Sequence, residues 1–288
     1  MSAAARGAGA QVAGAQVAGA GVAGAPVAGG RAHAPMAMFR VAVAAVADLT
    51  PHLRRVVLTG PDVRSFVDDG PDQRVKLLLP RPGQRRPLAL PADGWYARWQ
   101  AMDPATRPVL RSFTVRAARP ERAELDLDLV RHGDTGPASR WASRARPGDE
   151  VALFGPRAEY VPRTDTDLHL LVGDHTALPA VAAITERLPP DARGHVLVQV
   201  PDPDDELPLP APPGMAVRWL HAAAGRDALT PAVRALGLTG ARRPAAWVAG
   251  ERATVAAVRR HLVDGARWPA ERVTSCGYWR AGAPVDPS

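Results

Sequence analysis

The chain has 288 residues, 46% of them hydrophobic, and 36 Lys and Arg against 29 Asp and Glu leave a formal charge of +7. That length suffices for two ordinary domains with real cores, and no apolar run approaches the roughly 18 residues of a membrane span. The basic excess is almost all Arg, with Lys76 the one lysine, and it is scattered among Ala, Pro and Gly without clustered aromatics, which argues against nucleic acid and for an attraction to small anions.

Cys276 is the only cysteine, so no internal disulfide and no cysteine-rich zinc or iron–sulfur site can form. The N-terminus lacks the leucine-rich stretch of a signal peptide, and a cytoplasmic protein acting as a monomer is expected. Residues 11–30 are four near-copies of a pentapeptide: QVAGA, QVAGA, GVAGA, PVAGG. Side chains this small cannot bury enough surface to offset the entropy of ordering them. A disordered tail is therefore expected over residues 1–37, and Met36 and Met38 offer alternative starts.

From residue 38 to 164 short apolar runs recur near every ten residues: FRVAVAAVADLT, LRRVVLTG and VKLLLP, punctuated by Thr-Pro, Gly-Pro and Pro-Arg-Pro-Gly. That rhythm predicts an antiparallel barrel or sandwich. Residues 81–106 interrupt it as a long loop with one helical turn carrying Trp95, Tyr96 and Trp99, read as a small satellite core. The stretch from Arg111 to Tyr160 follows. Its clearest strand alternates Leu125, Leu127 and Leu129 with Glu124, Asp126 and Asp128, predicting one buried face and one wet face. After it, Gly136-Pro137-Ala138-Ser139 opens a helix whose free backbone N–H groups form a cradle for an anion, most usefully a phosphate.

Residues 165–288 change pattern. Apolar runs LHLLVGD, HVLVQV, MAVRWLHA and AAWVAG alternate with helical segments and end in RVTSCGYW. Buried strands between amphipathic helices predict a parallel α/β sheet of the nucleotide-binding type. The first strand-to-helix turn, Gly173 to Ala180, is not Gly-x-Gly-x-x-Gly, so alone it predicts no strong dinucleotide grip. No His, Asp or Glu constellation has metal-ligand spacing.

A barrel followed by such a sheet is the plan of the ferredoxin-reductase-like flavoproteins. The words RSFTVR, HGDTGPASRWA, PGDEVALFGPR, LLVGDHTALPA, WVAGE and GYWRAG, in that order, resemble the siderophore-interacting protein family of ferric-siderophore reductases over about residues 38–282. The resemblance implies FAD. It places Arg111 on the flavin diphosphate as a planar fork of donors, Phe113 flat against the isoalloxazine, and the Thr114 hydroxyl on the ring's N5/O4 edge. His132 and Gly133 are carried over as flavin contacts, and Gly136, Pro137, Ala138 and Ser139 as the diphosphate cradle. Trp141 is read as packing that helix on the barrel. Asp174, Thr176 and Ala177 are carried over as contacts to FAD or nicotinamide nucleotide.

The chain departs from the family twice: Phe113 replaces the usual Tyr, and His175 replaces the Glu of Asp-Glu-Thr, putting a group that can become positive near neutral pH in place of a negative one. Lys76 and Arg280 are the candidates for holding an anionic ferric chelate. The implied activity is reduction of Fe(III) in a siderophore, with electrons from NAD(P)H or reduced ferredoxin. A flavin reductase serving another acceptor, or a binding protein without turnover, are the competing readings.

Overall fold

The computed structural model describes residues 32–282, apart from 82, 85–89, 134–135, 162, 224–225 and 239. The pentapeptide repeat and its expected disorder lie outside the described residues. His33 and Ala34 are already anchored, the imidazole and the amide N–H both meeting the Asp69 carboxylate at 3.1 and 2.7 Å.

Seven strands build the first layer: β1 (Ala37–Thr50), β2 (Leu53–Thr59), β3 (Arg74–Leu79), β4 (Val109–Thr114), β5 (Ala117–Arg119), β6 (Glu124–Val130) and β7 (Glu150–Arg157). They lie in the order β4-β3-β7-β1-β2-β6-β5, antiparallel throughout. The two end strands are consecutive in the chain. Between them the Val115 N–H donates to Gln73 O on one side (2.9 Å), and the Arg116 N–H donates to Asp126 O on the other (2.8 Å). The sheet thereby curls into a barrel, leaving no long open edge.

Phe39, Val41, Val56, Leu58, Leu77, Leu127 and Leu153 fill the interior. Leu125, Leu127 and Leu129 of β6 point there, as their alternation predicts. The expected wet face of β6 is not wet. Asp126 and Asp128 are 4% and 6% exposed, because Arg55 of β2 grips Asp128 with two bonds (2.7 and 2.8 Å) and Arg119 of β5 grips Asp126 (2.9 and 2.5 Å). Helix α1 (Trp95–Ala101) does form in the long loop. Trp95, Tyr96 and Trp99 cover the outer side of the barrel over Leu78, Leu110 and Phe154, forming the satellite core.

The second layer is a five-stranded parallel sheet in the order β10-β9-β8-β11-β12. Its strands are β8 (Leu168–Asp174), β9 (Arg193–Val200), β10 (Gly214–His221), β11 (Pro244–Glu251) and β12 (Val273–Trp279). Helices α3 (Leu178–Thr185), α4 (Leu229–Arg234) and α5 (Arg252–Arg260) connect them, and α2 (Pro137–Arg144) belongs to the barrel side. The chain starts at the central strand, runs out to β10, then returns to β11, so β8 and β11 diverge at a topological switch point. The run MAVRWLHA does not form a buried strand as expected. It is β10, an edge strand in which only Met215 is buried.

Polar seams join the layers. Asp72, next to β3, accepts from the Glu159 and Tyr160 N–H groups and from the Trp247 indole N–H of β11 at 3.1 Å. Burial raises its pKa above the carboxylate range despite these donors. Asp205, after β9, is fully buried and accepts from the Thr50 hydroxyl (2.8 Å) and the His52 N–H (3.1 Å), while its second oxygen lies 2.8 Å from His52 Nδ1. Leu53 and Tyr160 of the barrel side complete the seam by packing into the core under α3.

Candidate functional site

The site begins at β4, whose side chains alternate. Arg111 and Phe113 share the face turned to the barrel, whereas Leu110, Ser112 and Thr114 face outward with Arg74, Lys76 and Leu78 of β3. Arg111 is half-buried. Its guanidinium donates to its own neighbour's carbonyl, Leu110 O, at 2.7 Å, and among the described residues it has no carboxylate partner. Burial alone lowers its pKa. A guanidinium offers a planar fork of donors whose geometry suits carboxylate or phosphate oxygens.

Phe113 rests on the rim of the barrel core together with Ala138 and Trp141 of α2. Trp141 thus packs its helix on the barrel, as the sequence suggests. The loop between β6 and α2 supplies the cradle. Gly133 is exposed with φ +75°, a conformation that favours glycine. Gly136 sits at the N-cap of α2 with no side-chain cap, so the first N–H groups of this eight-residue helix stay open, with Pro137 at its start and Ala138 half-buried. His132 lies over Gly136, where a Cβ would come within 3.1 Å of the imidazole.

Ser139 differs from expectation. Its hydroxyl is 2% exposed, donates to Gly133 O (2.7 Å) and accepts from the His132 N–H (2.9 Å). It shapes the cradle from inside, with no hydroxyl left for a ligand.

Lys76 is half-buried beside Arg74, and burial followed by that guanidinium lowers its pKa. Burial works against the charge of Arg74, but its ion pair with Glu159 offsets this and keeps the pKa raised. Arg157, opposite Arg74 in the β3–β7 register, is a second half-buried guanidinium with no ion pair among the described residues. Arg157 closes the run PGDEVALFGPR, where nothing in the local sequence marks it as a site residue. Arg280, just beyond β12, is exposed.

In the second layer Asp174, at the end of β8, is a hub. It accepts from the Thr176 N–H and hydroxyl (2.8 and 2.5 Å), the Glu251 N–H (2.8 Å) and the Trp279 indole N–H (2.7 Å). Burial still raises its pKa. Glu251 closes the other side by accepting from the Ala253 and Thr254 N–H groups at the start of α5. Between them opens a crevice lined by Asp174, Gln199, Arg226, Leu229, Glu251, Thr254 and Trp279. Asp174 therefore borders the crevice, and Thr176 is tied to it. Ala177 is fully buried in the core under α3, which removes it from any ligand surface in this conformation.

His175 also departs from expectation. It turns away from the crevice toward the barrel, 6.4 Å from the His52 ring, with a buried Nε2 that has no partner. Burial pushes its pKa down to about 4, so it stays neutral near pH 7.

The chain is similar to known proteins along most of its length. The siderophore-interacting FAD-binding domain matches residues 42–160, and the siderophore-interacting protein domain matches residues 166–282. The ferric vibriobactin reductase ViuB of Vibrio cholerae is 33% identical over 238 residues, 81% of this chain and 86% of that one. The crystal structure of the siderophore-interacting protein SipS from Aeromonas hydrophila superposes with a TM-score of 0.73 at 35% identity, covering 86% and 93% of the two chains. The ferredoxin reductase of carbazole 1,9a-dioxygenase, at 17% identity and a TM-score of 0.61 over 85% and 70% of the chains, shares the fold. With both halves matched in order, the chain belongs to the siderophore-interacting protein family, built on a ferredoxin-reductase-like barrel and parallel sheet.

Proposed function

We propose that the chain is an FAD-dependent reductase that releases iron from ferric siderophores in the cytoplasm, using electrons from NAD(P)H or reduced ferredoxin. Arg111 carries this reading, because a half-buried guanidinium that has no carboxylate partner among the described residues fits the diphosphate of a dinucleotide flavin. Arg111 and the backbone N–H groups of Gly136 and Ala138 would bind that diphosphate, and Phe113 would support one ring face. Thr114 would meet the ring edge. Bound FAD supplies a two-electron acceptor that can pass electrons singly to Fe(III).

The protein's own work is then positioning and electrostatics. Lys76, Arg74 and Arg157 form a basic surface on β3 and β7, and Arg280 adds an exposed charge beyond β12. An anionic ferric chelate would be drawn to that surface, its iron staying within the chelator. No side chain has to transfer a proton for electrons to reach Fe(III). The switch-point crevice is where a nicotinamide donor would enter.

The test is direct. Purified protein should take up FAD and turn yellow, and should yield trapped Fe(II) from ferric siderophores with NADH, NADPH or reduced ferredoxin. A protein that retains no FAD overturns the reading. One that oxidises NAD(P)H but releases no Fe(II) from any chelate is a flavin reductase for another acceptor.

A further inference from the structure

The proposed flavin grip and the proposed nicotinamide crevice are carried by different layers, Arg111, Phe113 and Thr114 on β4 of the barrel and Asp174 and Trp279 on the parallel sheet. A nicotinamide ring reduces a flavin only when the reacting atoms come within about 3–3.5 Å, so the angle between the layers has to be held. The seam holds it from two directions. Asp72, on the barrel side, accepts from the Trp247 indole of β11 at 3.1 Å. Asp205, on the sheet side just after β9, accepts in return from the turn between β1 and β2. In the strand order β9 and β11 lie on either side of β8, whose last residue is Asp174. Two contacts of opposite polarity therefore straddle the strand that leads into the crevice, and losing one leaves a single polar contact about which the layers can pivot.

Asp205 is the more exacting of the two. It is fully buried, and its two oxygens take three groups of the barrel: Oδ1 accepts from the Thr50 hydroxyl (2.8 Å) and the His52 N–H (3.1 Å), and Oδ2 lies 2.8 Å from His52 Nδ1. Burial opposes the charge of Asp205, but its bonds to Thr50 and His52 keep the pKa below the ordinary carboxylate value. An ionised carboxylate only accepts, so Nδ1 carries a proton whether the imidazole is neutral or charged. The His175 ring also faces His52, with centroids 6.4 Å apart, and the Arg131 guanidinium donates to Pro51 O in the same turn at 3.1 Å. An aspartate thus keeps the same bonds on both sides of the imidazole titration. An asparagine of the same shape would not, because its amide nitrogen would face Nδ1, which accepts from it only while the imidazole is neutral.

We propose that Asp205 is a positioning residue: through Thr50 and His52 it holds the crevice of the sheet in line with the flavin grip of the barrel, and it keeps that alignment as His52 gains or loses a proton. This rests on the flavin and nicotinamide reading above. Asp205 touches neither ligand, so its loss leaves the diphosphate grip intact and acts on the passage of electrons between the layers.

The experiment compares full-length wild type, Asp205→Ala, Asp205→Asn and the double variant Asp205→Asn/His52→Gln at about pH 8 and about pH 5.5, on either side of the imidazole range. Flavin reduction by NADH or NADPH is followed in single turnovers, with dithionite, which needs no crevice, as the reference. Asp205→Ala should bind FAD within about twofold of wild type, yet be reduced by the nucleotide about 10- to 100-fold more slowly at an unchanged dithionite rate. Asp205→Asn should match wild type at the higher pH and fall about three- to tenfold behind it at the lower, and the double variant should lose that pH dependence. In FAD-free protein, nitrogen-15 NMR reads the tautomer. His52, identified by the signal missing when it is replaced by Gln, should carry its proton on Nδ1 in wild type and on Nε2 in Asp205→Asn at the higher pH. A wild-type nucleotide rate in Asp205→Ala, or a wild-type His52 protonated on Nε2, overturns the inference while leaving the flavin reading intact. A wild type that binds FAD but is reduced by neither nucleotide overturns it too, and one that binds no FAD overturns both. Should Asp205→Ala not fold, Thr50→Val removes one of the bonds and should slow nucleotide reduction about threefold at unchanged FAD affinity; an unchanged rate counts against the proposal.

Discussion

Two sets of arginines on one barrel wall behave in opposite ways. Arg55 and Arg119 lie across from buried aspartates, bonded by forks to Asp128 and Asp126, and those hydrogen bonds raise their pKa values. Arg111, on β4 at the other end of the strand order from β5, is half-buried like Arg55 but among the described residues bonds only a carbonyl, and burial lowers its pKa. The same side chain in the same kind of strand is a fastener in one place and, in the proposed reading, a binding group in the other. The difference lies in whether the neighbouring strand supplies a carboxylate.

Three substitutions and one titration can break or sharpen that contrast. The largest effect is expected for Arg111→Ala. Losing a charge-assisted bidentate contact costs about 2–3 kcal/mol, so the FAD dissociation constant should rise by roughly 30- to 150-fold with the melting temperature of the FAD-free protein unchanged. Undiminished FAD affinity would show that Arg111 is not the diphosphate residue. Arg119→Ala should do the reverse. It leaves Asp126 and Glu124 without their fork, and denaturant unfolding should show a loss of about 2–3 kcal/mol while FAD affinity per folded molecule holds.

The titration concerns the seam. The folded pKa of His175 is depressed from 6.5 to about 4, so between those values the unfolded chain binds more protons and stability falls as pH falls. Asp205 has a lowered pKa, opposed by burial but held down by Thr50 and His52. Its contribution is present above the ordinary carboxylate range and is lost at still lower pH. Stability measured from pH 7 to 4 should therefore drop by about 2–3 kcal/mol, and His175→Gln should flatten the curve over that window only. An unchanged slope in the variant would place the titrating group elsewhere. The smallest effect is expected for the Arg187–Asp68 ion pair, exposed by nearly half on both sides. Asp68→Asn should cost no more than about 0.5 kcal/mol in a chemical melt.

Much of the barrel was legible in the sequence, because local periodicity determines it. The leucines of β6 announce the core by alternating, and Arg111 to Thr114 place themselves on one strand. What escaped depends on partners distant in sequence. The aspartates of β6 read as solvent-facing because nothing nearby in the chain shows that Arg55, 73 residues before Asp128, will cover them. MAVRWLHA reads as buried because strand order, not composition, decides which strand is an edge. His175 reads as a nucleotide-side group, yet the packing of the barrel's β1–β2 turn on Asp205 turns it into the seam. Ala177 and Arg157 acquire their real surroundings only once the barrel closes and the sheet docks.

That closure has a mechanical consequence. The strand carrying Arg111, Phe113 and Thr114 is also the clasp of the barrel, since it continues through Val115 and Arg116 into β5 and is bonded to a neighbour on each flank. Opening the clasp would take the ligand-holding side chains apart along with the cylinder. Anything gripping those side chains therefore also resists opening, and amide protons of Val115 and Arg116 should exchange with solvent more slowly when the grip is occupied.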